Sequence, residues 1–147
     1  MDTSAPTLTF KEIAYLRTQL LGRLATVDSS GAPQNNPVGF VVDEATGQLV
    51  IGGHNMGRSR KFRNVRANPH VAFVVDDLAS TDPWTPRGVE VRGRAEALTD
   101  VEPAMRGFSR EVIRITPTWI GSWGIETGSF TMAVRRADPA GSAPSGP

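Results

Sequence analysis

A mainly β fold is predicted for this chain: an antiparallel barrel of six or seven strands with short helices. Three observations carry that prediction. Short segments with period-two alternation recur along the chain, and compact turn-forming clusters separate them. The turns are too short for parallel crossovers, so neighbouring strands pair as hairpins. A meander of hairpins exposes two edges unless it curls and closes, and a small barrel does that with least chain.

The elements follow in order. Residues 1–8 read as an arm. Thr9 caps a helix over Phe10–Gln19, with Glu12 three residues on to complete a capping box. Arg23–Asp28 alternates as a first strand, and Ser29-Ser30-Gly31-Ala32-Pro33 turns the chain. Asn36–Asp43 is a second strand, Glu44–Gly47 a turn and Gln48–His54 a third strand. Ser59 caps a helix to Ala67 that Asn68-Pro69 stops. His70–Asp76 reads as a buried strand. A loop carrying Pro83-Trp84-Thr85-Pro86 follows, then a strand over Gly88–Leu98 and a helical turn over Asp100–Met105. Glu111–Thr116 and Ile120–Ile125 read as two further strands, and Ser129–Arg135 as a last strand or extended tail. Residues 1–136 make one domain. The Ala, Gly, Ser and Pro-rich run 137–147 is expected to be disordered.

The 147 residues suit a single domain, with a core too small to enclose a large ligand alone. A ligand site shared with a second copy is therefore expected. The net charge of +1 argues against nucleic acid as a partner. Arg58, Arg60, Lys61, Arg63 and Arg66 nevertheless crowd one stretch, which points to a small anionic ligand. The absence of cysteine excludes disulfides, thiolate metal sites and a cysteine nucleophile. No apolar run is long enough to span a bilayer, and no signal peptide is visible, so a cytoplasmic location without membrane association is expected. Arginine greatly outnumbers lysine, a composition that fits a GC-rich actinobacterial genome.

The most informative stretch runs from Ile51 to Val65. A strand ends in Gly52-Gly53-His54, and a short loop then opens a helix whose start holds Ser59, Arg60 and Lys61. Glycine backbone admits a flat ring, while a helix N-terminus with a hydroxyl and two cations suits a phosphate. An ordinary capped helix with solvated charges is the competing reading. His54 lies beside this stretch, whereas His70 follows Asn-Pro and reads as structural. Neither has a carboxylate at metal-ligand spacing, so no metal site is expected. Trp84 and Trp123 are either packing residues or rings that stack on a ligand. No Ser–His–Asp arrangement or other catalytic group stands out.

Ser59–Phe73, with Leu24-Ala25-Thr26-Val27, Gly31-Ala32-Pro33-Gln34 and Gly88–Ala95, resembles the pyridoxamine 5'-phosphate oxidase-like split-barrel proteins. The resemblance runs from about residue 9 to 135. The Val38-Gly39-Phe40 strand, Ile51-Gly52-Gly53-His54, Asp76–Ser80, Pro83–Gly88 and Ser122-Trp123-Gly124 are similar to its deazaflavin-dependent branch. It implies a split barrel, a homodimer and a cofactor at the subunit interface, coenzyme F420 in preference to FMN. Ser59, Arg60, Lys61 and Asn64 would engage the phosphate. Asn36, Pro37 and Val38 would lie along the ring edge, and Gly52, Gly53 and His54 beside the ring or ribityl chain. Trp84 and Trp123 would approach the ring, from the same subunit or the partner. The implied activity is hydride transfer from reduced deazaflavin to an enone C=C, with a dehydrotetracycline as one candidate substrate. FMN chemistry on the same fold and a non-catalytic flavin-binding role are the alternatives. The chain lacks the basic C-terminal pattern of pyridoxamine 5'-phosphate oxidase, which argues against pyridoxamine oxidation.

Overall fold

The computed structural model describes residues 6–137. Two helices, α1 (Phe10–Leu16) and α2 (Arg60–Ala67), accompany eight strands: β1 (Gly22–Val27), β2 (Pro33–Val38), β3 (Val41–Asp43), β4 (Gln48–Ile51), β5 (His70–Thr81), β6 (Trp84–Leu98), β7 (Val112–Trp123) and β8 (Met132–Arg136). All pairings are antiparallel. The strand order is β2-β1-β5-β6-β7-β4-β3, and β8 pairs with the far half of β7. The first and last strands of that order are consecutive in the chain, joined only by Gly39-Phe40. The sheet must therefore curl until its ends meet, which closes the barrel.

Alternation places Leu24, Leu49, Ile51, Phe73, Val75, Val89, Val91, Ile113, Ile115 and Ile120 inside, all buried. Phe62 and Val65 of α2 join the same core. Ser59 caps α2 as expected, accepting from the Phe62 N–H.

Several elements differ from the sequence expectation. The second strand is broken at Gly39-Phe40 into β2 and β3. Trp84 and Pro86 lie in no open loop, because β5 and β6 run on as one long hairpin that turns at Asp82-Pro83. The two strands expected over 111–125 are one, β7. Pro117 is accommodated at a bulge where Arg92 faces Trp119 and Gly93 faces Pro117. A Cβ on Gly93 would lie 2.3 Å from the Thr116 carbonyl oxygen, so this crossing requires glycine. Residues 100–105 form no helix. The expected tail lies outside the described residues, apart from Ala137.

The Thr9–Glu12 capping box forms, and α1 ends at Leu16 rather than Gln19. Two polar clamps fix α1 to the barrel. Glu12, fully buried, accepts from Ser122 Oγ at 2.6 Å, from Arg135 of β8 at 2.5 Å and from the Thr9 N–H at 2.9 Å. Tyr15 Oη donates to Asp77 at 2.9 Å, and Arg87 grips the same carboxylate at 2.8 and 3.0 Å. Burial alone would raise the Glu12 pKa. The bonds from Arg135, Ser122 and Thr9 outweigh it and hold the group below its ordinary 4.5.

Arg135→Met strips the guanidinium from a buried carboxylate and should cost about 3 kcal/mol, read by urea unfolding near neutral pH. A depressed folded pKa contributes stability that is complete above 4.5 and is lost as pH falls through the folded value. The stability gap between wild type and Glu12→Gln should therefore be full at neutral pH and close on acidification.

Candidate functional site

Closure of the barrel at Gly39-Phe40 brings the end of β2 beside the end of β4. Residues 37–39 and 52–54 then form two walls of a groove of about 340 Å³, with Met56, Ser59, Lys61 and Phe108 completing it. A 3-10 turn (Met56–Arg58) leads from the β4 wall into α2. The Ser59 hydroxyl donates to the Met56 carbonyl at 2.6 Å and accepts from Phe62 N–H, so it fixes the loop and the helix start together. The first-turn amides of Arg60 and Lys61 have no acceptor within the helix. Lys61 reaches the groove from there. None of Arg58, Arg60, Lys61, Arg63 and Arg66 makes an ion pair within the described residues. Arg66 instead lies over the Phe62 ring, 4.7 Å from its centroid.

The segment 101–111 forms a further wall, held to residues 53–57 by hydrogen bonds. His54 Nδ1 lies 2.6 Å from the Gly107 carbonyl oxygen, and its ring meets Phe108 edge-on at 5.3 Å. A carbonyl can only accept, so Nδ1 carries the proton and Nε2 is the open ring position. Ser109 Oγ donates to the Gly53 carbonyl and accepts from Met56 N–H, and Glu111 accepts from Gly57 N–H at 3.2 Å. These contacts present Phe108 to the groove. They also separate it from a second, larger cleft of about 760 Å³, bounded by the end of α1, residues 39–44 and residues 101–109. Gly39, Gly52 and Phe108 line both spaces.

Residues 10–124 match the pyridoxamine 5'-phosphate oxidase family. The chain belongs to that family. It is 50% identical, over 88% of its length and 92% of the relative's, to the 5a,11a-dehydrotetracycline/5a,11a-dehydrooxytetracycline reductase of Streptomyces rimosus. The fold is shared with a heme binding protein from Mycobacterium smegmatis (TM-score 0.63, 18% identity, 90% of this chain and 60% of that one). It is shared too with a FAD-binding protein from Mesorhizobium loti (TM-score 0.57, 23% identity, 80% of this chain and 95% of that one).

Within this pyridoxamine 5'-phosphate oxidase family member, the structure brings together Pro37, Val38, Gly52, Gly53, His54, Ser59 and Lys61 of the residues singled out in the sequence. Asn36 is half-buried on β2 beside them. Arg60 is exposed at the start of α2, near enough to Asp28 to help lower its pKa behind the stronger bonds from Ser30 and Ala32. Asn64 is buried, and its amide donates to Thr26 Oγ1 at 3.0 Å and Gln34 Oε1 at 2.9 Å, tying α2 to the first hairpin. Trp84 is 59% exposed near the tip of the β5–β6 hairpin, and Trp123 packs over Gly88 farther along that ribbon. Neither tryptophan lines the groove or the larger cleft.

Sequence reasoning missed Gly39, Met56, Phe108 and Ser109. The one available signal was a lone phenylalanine between polar residues, in Arg106-Gly107-Phe108-Ser109. Gly52 also has a packing reason to be glycine: a Cβ there would lie 3.0 Å from the Phe108 ring. Gly52→Ala should cost about 1 kcal/mol by crowding that ring. A double-mutant cycle with Phe108→Leu, read by chemical unfolding, should show the two substitutions to be less than additive.

Proposed function

We propose that this chain is a reductase that binds a flavin-type cofactor in the smaller groove and reduces an enone C=C of a fused-ring small molecule. The observation that carries the reading is the groove itself. Glycine-containing backbone at 37–39 and 52–54 meets an unpaired Lys61 and the free first-turn amides of α2. Such a place accepts a flat ring at one end and a phosphate at the other. The 50% identity to a protein named as a dehydrotetracycline reductase supports both the reductase activity and the substrate class. The fold shared with a FAD-binding protein is consistent with a flavin-type ligand.

We take F420 over FMN. The two share a ribityl phosphate, but F420 continues into a longer anionic tail. Arg58, Arg60, Arg63 and Arg66 extend unpaired positive charge beyond Lys61 along the same segment. We also propose a homodimer, located in the cytoplasm. Phe130, Met132 and Val134 on or next to β8 are exposed, as is Trp84, an apolar surface that a second copy would cover.

When bound, the reduced cofactor supplies a hydride, two electrons, to the β-carbon of the enone. The chain's own work is positional. Lys61 and the first amides of α2 would hold the phosphate, with Ser59 fixing the helix start that presents them, and residues 37–39 and 52–54 would flank the ring. Phe108 and Met56 would give the ring an apolar wall. The negative charge that develops on the enone oxygen needs a hydrogen-bond donor, and a proton from solvent at the α-carbon completes the saturated product.

Lys61→Ala should weaken F420 binding by about 1.5–3 kcal/mol, the worth of one charge-assisted contact, and Arg60→Ala with Lys61→Ala should weaken it further. Equilibrium titration with F420 and FMN side by side checks this. Tighter binding of FMN would favour the FMN-dependent alternative. Anaerobic mixing of the loaded enzyme with reduced F420 and 5a,11a-dehydrotetracycline should restore the absorbance of the oxidised coenzyme. Tight cofactor binding without that return would make the chain a flavin-binding protein.

A further inference from the structure

We infer that the larger cleft of about 760 Å³ is the acceptor site, and that it takes a flat fused-ring enone with one polar edge. The inference rests on the reductase reading and names where that reductase holds its substrate.

Continuity is the first argument. The large cleft and the smaller groove share Gly39, Gly52 and Phe108, so a molecule in one abuts a molecule in the other along that seam. Hydride transfer needs donor and acceptor atoms about 3–3.5 Å apart, which adjoining spaces allow and separated ones do not. Two of the three shared residues are glycines, so the partition carries little side-chain bulk apart from the Phe108 ring. The His54–Gly107 and Ser109–Gly53 bonds hold that ring in place.

Lining chemistry is the second argument. Phe40, Val41, Val50, Met105 and Val112 give the cleft an apolar surface. Leu20, Val41 and Met105 are 88%, 51% and 61% exposed, large apolar side chains gathered around one concavity. Apolar clusters of that kind mark ligand grooves. Charge gathers mainly where Arg17, Asp43 and Glu44 line the cleft, with Arg17 and Glu44 paired at 2.8 Å; Glu102, 3.7 Å from Arg110, stands apart. That distribution suits an aromatic polycycle with its oxygens gathered along one side. The size lies within the roughly 300–1,000 Å³ usual for small-molecule sites.

Placement of the walls is the third argument. The Glu12 and Tyr15 clamps pin α1, so Leu16, Arg17 and Leu20 present a fixed side to the cleft. The surfaces proposed for the second subunit, around Trp84 and β8, do not line it.

The test uses the full chain, with tetracycline, the product of reducing the 5a,11a double bond, as a fluorescent probe. Ala104→Trp fills the cleft from an exposed position, and Val41→Asp places a charge on its apolar wall. Both should weaken tetracycline binding at least about tenfold. F420 affinity should stay within about twofold, and the oligomeric state should not change. Unaltered tetracycline binding in both variants would overturn the inference. So would a matching loss of F420 affinity, which would put the cofactor in the cleft, or a change in oligomeric state, which would make the cleft a subunit contact. Wild-type protein that binds tetracycline through this cleft but binds neither F420 nor FMN would sink the cofactor reading and leave the acceptor site standing. Binding of F420 without tetracycline would do the reverse.

Discussion

Closure of the sheet through the two-residue link Gly39-Phe40 is the constraint on which the site depends. The strands at the two ends of the sheet order are neighbours in sequence, so the barrel cannot open without stretching that link. Its consequence is local. The last residues of β2 and of β4 are forced together, and the chain leaving β4 has only residues 52–59 in which to reach α2. The groove is what remains between those segments. Gly39, Gly52 and Gly53 stand where the two strand ends approach each other, so backbone lines the groove there.

A second layer of control comes from polar side chains that tie the surrounding elements together. Glu12 and Tyr15 fix α1 against β7, β8 and the β5–β6 ribbon, and Asn64 ties α2 to the first hairpin. His54, Ser109 and Glu111 stitch the irregular 101–111 segment to the loop after β4. The last three hold a segment that has no strand of its own. The cationic segment contrasts with them. Its side chains make no ion pair among the described residues, so their charge is available to a ligand.

Much of this was legible in the sequence where a local rule decides the structure. Thr9 with Glu12, Ser59 before a helix, and Gly31 or Gly47 in a turn each act within a few residues, and α1, α2, β1 and β4 appear within a residue or three of their expected bounds. The misreadings involve proline and glycine judged without their tertiary setting. Pro86 sits inside β6 and Pro117 inside β7, since a long ribbon and a bulge leave those nitrogens without a donor to supply. Gly39 breaks one alternating run into two strands because the barrel turns its corner there. In the site, Lys61, Ser59 and the residues of 52–54 were legible from charge and capping. Phe108 was not: its segment has no periodicity, and only long-range hydrogen bonds bring it to the groove. Asn64 shows the opposite failure, a polar residue near a cationic start whose amide is already spent on Thr26 and Gln34.

A crystal structure of the chain grown with F420, and a parallel one with FMN, tests the central claim most directly. The account predicts phosphate oxygens within hydrogen-bond distance of Lys61 Nζ and the first amides of α2, with the ring running between residues 37–39 and 52–54. A phosphate bound away from α2, or a ring that lies outside the space created where the barrel closes, would contradict it.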